Sequence, residues 1–334
     1  MLTGIFLVKP LVLIIKFSLF SLLLINHIGQ VGAETKYSPS QVFAGVEYAN
    51  KLIDRLFEKN NIGNIQVPVS LEKAARPMHV YELHVSALSE LYHYALNNNR
   101  RPPPLASSTP IKYSPTDVFY LTQLVMSNIE SVYIDQGHEI DFAMQRYTGK
   151  SPADVYQELF ELYYKLSRLN GKEKVSPNEV YAHIYRAKED LQFSLLTLSK
   201  RLSQDQERNK RLLVTSIYGM HPDGTTMTAK EEGKKPADVI KKAFEVRDKL
   251  NSLRKKNNLA EIAIPSLSGY TKVKPIDVFL QTQFVIAELN LLKIPMQITS
   301  TTNSVKVVTG KTPSDVYHEM KHISYMLDRF MATL

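Results

Sequence analysis

The sharpest chemical string in this chain is His318-Glu319-Met320-Lys321-His322. On a helix this spacing sets two imidazoles one turn apart. They could hold zinc, with Glu319 as the general base of a zinc-dependent metallopeptidase. Two features weigh against that chemistry. Such sites draw a third ligand from further along, and after His322 the only acid is Asp328, with no His or Cys. The apolar residues Val316, Met320, Ile323, Leu327 and Phe330 recur at 4-3-4-3 spacing, so Met320 faces inward. At about 100° per residue, His318 and His322 then fall on the solvent side. No metal site and no cofactor is the expectation, with His318 and His322 as the alternative.

Gly149-Lys150-Ser151 and Gly310-Lys311-Thr312 look like the end of a phosphate-binding loop. That loop needs an earlier glycine, where Met144 and Val305 stand, and a strand before it. A turn into a capped helix accounts for both strings. No Ser-His-Asp order, calcium loop or dinucleotide fingerprint appears, so the enzyme readings weaken together.

Polar residues on apolar seams are the remaining candidates. His84, Thr122 and Thr282 occupy seam positions, and Gln123 and Gln283 follow the two threonines. These five are the candidate ligand-binding residues. A satisfied core histidine explains His84 equally well. In an up-down bundle His84 and Thr122 lie near opposite ends and are not paired.

The elements that must position these residues begin with one phrase, written eight times. A proline stands at 39, 77, 115, 152, 177, 236, 275 and 313, followed three residues later by valine in every copy. Proline is tolerated at the first helical position, where its missing N–H is an orphan donor anyway. Ser38, Ser114, Ser151, Ser176 and Thr312 precede it as N-caps. Asp117, Asp154, Glu179, Asp238, Asp277 and Asp315 complete a capping box and suit the helix dipole. The repeated acids are therefore caps rather than a catalytic array.

The two halves match beyond the phrase, in the Gly-Lys strings and in Thr122-Gln123 against Thr282-Gln283. The reading is an all-α chain of tandem duplicated four-helix bundles, with eight Pro-initiated helices and long inter-helix loops. Residues 34–171 form the first bundle and 172–334 the second; one continuous solenoid is the alternative. The prolines at 152 and 177 leave only a sharp turn at Asn170-Gly171, whereas other connections are long enough to bind something. A short hairpin over 296–308 is expected from the alternation at Val305-Lys306-Val307.

Composition limits the rest. The chain has 334 residues and no cysteine, which excludes disulfides, thiolate metal sites and cysteine nucleophiles. Residues 1–33 read as a signal peptide, with Lys9 and Lys16, an apolar run and a cut near Ala33/Glu34. A retained membrane anchor, making the chain a sensory input module, is the alternative. The formal charge of +8 is mainly a solubility property. The basic stretch Lys234–Lys256 reads as a solvated face. The expected partner is a small ligand or a protein, with weak contact to an anionic envelope surface and no nucleic acid. The function expected is that of a periplasmic or secreted, non-enzymatic binding protein.

Overall fold

In the computed structural model, described for residues 36–63, 65–221, 223–227, 229–306 and 308–334, the phrase starts eight long helices. They are α1 (Pro39–Lys59), α2 (Pro77–Asn97), α3 (Pro115–Asp135), α4 (Pro152–Leu169), α5 (Pro177–Ser199), α7 (Pro236–Lys256), α8 (Pro275–Lys293) and α9 (Pro313–Met331). A shorter helix, α6 (Glu207–Ile217), sits between α5 and α7. Residues 1–33, expected to be a signal peptide, lie outside the described residues. Among the described residues no helix is long and apolar enough to cross a membrane.

The capping expectation holds in detail. At all eight starts the N–H before the proline donates to the side chain three residues on, at 2.7–2.9 Å. Arg76, Lys235 and Lys274, which lack a hydroxyl, keep this bond. A stop signal recurs as well, at fewer ends. Asn61, Asn99 and Asn258 turn left-handed after three helix ends, and Gly171 does so after α4. Each lets the next N–H reach back into the last turn, as Ile62 does to Phe57 at 2.9 Å.

The long helices form two sets of four. In the first, α1 and α2 each lie beside α3 and α4; in the second, α5 and α7 each lie beside α8 and α9. The order of neighbours is therefore the same in both sets. Within each set all four helices run parallel. Pro39, Pro77, Pro115 and Pro152, with the valine three residues after each, border one small depression. The other four prolines and their valines border a second. The starts are also bonded to one another. Lys150 N–H donates to Ser40 Oγ, Lys234 N–H to Ser314 Oγ and Lys311 N–H to Asn178 Oδ1, at 2.7–3.0 Å. The same lysines place their ammonium groups over Phe43, Tyr317 and Tyr181, 4.0–4.4 Å from the ring centres. The phosphate-loop look of the Gly-Lys strings thus has a structural cause. At the opposite end, Asn60 Nδ2 donates to Gln136 Oε1 and Gln136 Nε2 to Tyr94 OH, joining the ends of α1, α3 and α2.

Parallel helices explain the long connections. A helix of 21 residues is about 31 Å long. The chain must retrace that length before starting the next one, and short bundle loops cannot do so. The return is visible beside α7, where Arg254, Asn251 and Arg247 bond the backbone of residues 260, 262 and 263 in turn. The turn at Asn170-Gly171 needs no return, so α5 starts at the end where α4 finishes and the second set is inverted. Accordingly α2 and α8, which join the sets, cross antiparallel: His79 meets Glu288 and Ser86 meets Gln283.

Two expectations change. No hairpin forms among the described residues of 296–308; Thr302 instead bridges to Ser108 in the α2–α3 connection. The stretch Lys234–Lys256 is not wholly a solvated face, because Arg247 and Arg254 are buried against Glu72 and Glu288.

Gly45 tests the parallel packing. A Cβ there would meet Met126 Sδ and Thr122 Cγ2 on α3, each at 2.8 Å. Helix propensity alone would make Gly45→Ala stabilising by about 1 kcal/mol. Overpacking of about 1–3 kcal/mol should outweigh it. Urea unfolding should show a lower midpoint, and a raised midpoint would contradict this contact.

Candidate functional site

Because the helices are parallel, equal distances from the proline mean equal height in the bundle. His84 and Thr122 both lie seven residues after their prolines and meet: Thr122 Oγ1 stands 2.9 Å from His84 Nε2. This corrects the expectation that they lie apart. His84 Nδ1–H donates to Val80 O at 3.0 Å, so Nε2 is free to accept from the threonine. The ring is fully buried and its needs are met. Burial, opposed only by the Val80 bond, pulls its pKa from 6.5 down to about 4. The pair is a core feature with no open side.

Thr282 is buried at the matching height of the second set and donates to its own helix at Phe279 O, 2.7 Å away. Gln123 and Gln283 share a register position but not an environment. Gln123 is exposed on α3, whereas Gln283 is buried where α8 meets α2. Its Oε1 accepts from Ser86 Oγ at 3.1 Å, and its Nε2 donates to His183 Nδ1 at 3.0 Å.

That last pair leads to a cleft of about 460 Å³ at the junction of the two sets. It is walled by the second half of α2, the 170–176 turn, the start of α5, and Val305, Lys306 and Val308. Tyr163, stacked on Phe279 at 4.6 Å, supplies an aromatic surface. Lys172 is clamped between Glu90 at 2.7 Å and Glu179 at 2.9 Å. Burial alone would lower its pKa, but the two carboxylates prevail and raise it. Asn170 donates to Glu90 Oε2 at 2.8 Å, while its own Oδ1 lacks a partner. His183 is buried and neutral, its pKa pulled down to about 3 by burial and then by Arg186 and Lys172. Lys174 and Lys306 stand exposed in the same lining.

Sequence reasoning reached Gln283, one bond behind this lining, and missed Glu90, His93, Lys172 and His183. The available signal was the single short turn, which forces both sets to meet at Asn170 and Lys172.

The His318–His322 string is placed differently from its expectation. His322 and Glu319 are buried, because α6 packs against α5 and α9 and covers that face. His322 Nε2–H donates to Ser216 O of α6 at 2.9 Å. Glu319 is held by Lys188 at 2.6 Å and Tyr181 OH at 3.1 Å. Among the described residues no three His, Asp or Glu side chains converge as a metal site requires. The string ties α6 down.

No family model, curated protein or solved structure matches this chain.

Two outcomes follow. A histidine depressed from 6.5 to about 4 contributes fully above pH 6.5 and loses that contribution as pH falls toward 4. The loss is about 1.4 kcal/mol per pH unit. His84→Leu should therefore flatten the stability decline between pH 6.5 and 4 by one proton, measured by urea unfolding; parallel curves would contradict it. His322→Ala removes one bond to the Ser216 carbonyl, which keeps the Gly219 N–H at 3.1 Å, and should cost about 0.5–1.5 kcal/mol with metal content unchanged by elemental analysis.

Proposed function

We propose that this is an exported, non-enzymatic binding protein that takes a small polar solute carrying an anionic group in the cleft between its two helix sets. The carrying observation is that cleft itself. Both sets contribute to it, and an aromatic surface lies in its wall. Lys174 and Lys306 add exposed positive charge at the opening, and hydroxyl and amide groups such as Ser89, Asn97 and Asn178 suit a hydrogen-bonding solute. Pockets of this volume with a few placed polar groups are typical of small-molecule sites. Export is supported by the leader pattern of 1–33 and by the lack of cysteine. A non-enzymatic role is supported by the engagement of Glu319 and His322 in structural bonds.

A thermal-shift screen with uronic acids, sulfated sugars, dicarboxylates and neutral sugars tests this. At least one acidic solute should raise the melting temperature, and Lys174→Glu combined with Lys306→Glu should abolish that rise. No shift with any acidic solute, or a shift indifferent to the charge reversal, would contradict the proposal.

A further inference from the structure

The two sets are built alike, yet one helix face that is covered in the second set is bare in the first. On α8 the face carrying Gln283, Ala287 and Leu291 is covered by α2 of the other set. Gln283 and Ala287 are wholly buried there, and Leu291 packs beside Met78 and Tyr113. The matching positions on α3, counted from its proline, are Gln123, Ser127 and Ser131, all exposed. Tyr120 and Ile134 extend this stripe at 61% and 56% exposure. Spacings of three, four, four and three residues keep all five on one side of the helix, and none is charged.

We infer that this α3 face is the contact between two copies of the chain, related by a two-fold axis through Ser127. The covered counterpart shows which geometry such a face accepts, since α8 and α2 cross antiparallel. An antiparallel α3–α3 contact is self-complementary in this sequence. About Ser127, Tyr120 opposes the partner's Ile134, and Gln123 opposes the partner's Ser131. Self-complementarity is what an isologous interface requires. The small Ser127 at the centre permits close approach, as Ala287 does inside the molecule. The absence of charge removes like-charge repulsion across the axis.

The lack of cysteine makes the test direct. Sedimentation velocity on the purified protein at about 100 µM, well above a micromolar Kd, should show a dimer. Ser127→Arg should convert it to monomer with unchanged helical circular dichroism. A Ser127→Cys chain should form a disulfide-linked dimer under mild oxidation about tenfold faster than Ser252→Cys, an exposed serine on α7. A monomer at that concentration overturns the inference. A dimer that survives Ser127→Arg, or equal cross-linking at both positions, does so as well.

Discussion

Everything in this structure follows from where the helix starts are held. Each start is closed by a bond from the N–H before the proline to the side chain three residues on. Neighbouring starts are then joined by a lysine N–H that reaches the next phrase and an ammonium group that covers its aromatic ring. A local cap thereby becomes a tertiary contact. It can be repeated only if all starts of a set lie at one end, which makes the helices parallel.

Parallel packing has consequences for the whole molecule. It brings residues of equal register to equal height, as with His84 and Thr122. It demands connections that run the length of the bundle, and these bring polar backbone against the helices. The connections carry buried charge with them. Glu72, in the α1–α2 connection, meets Arg247 at 2.7 Å, and Glu288 meets both Arg254 and His79. Burial pushes the Glu288 carboxyl up, but His79 and Arg254 outweigh it and hold the pKa below its usual value. Removing one partner of such a pair costs far more than the intact pair contributes. The seam between the sets is thus a place of fixed geometry. The single short turn inverts the second set and opens the cleft beside that seam.

The helix starts, their caps and the all-α class were legible because capping is local and its residue types are few. Helix direction was not read, although a signal was present. A cap says nothing about a neighbour's direction, but connections far longer than an antiparallel pair needs imply a return along the bundle. Asn61, Asn99 and Asn258 were an unread stop signal at three of the eight long-helix ends. The burial of His322 could not be reached from the periodicity of α9, because α6 from the insertion covers that face. Gln123 and Gln283 show the same limit. Identical register positions end exposed and buried because α2 covers only one of them. The cleft residues were least legible, since Glu90, Lys172 and His183 acquire their roles only when the two sets meet.

The central claim is the parallel direction of the helices within a set, and one distance measurement tests it most directly. Spin labels on Lys59→Cys and Asp135→Cys, in a chain with no other cysteine, mark the ends of α1 and α3. With labelled protein diluted into unlabelled protein, pulsed electron resonance should give a separation below about 20 Å, with Gln41→Cys and Asp135→Cys about one helix length apart. The reverse pattern, long for the two ends and short for start against end, would mean antiparallel helices and would contradict the account.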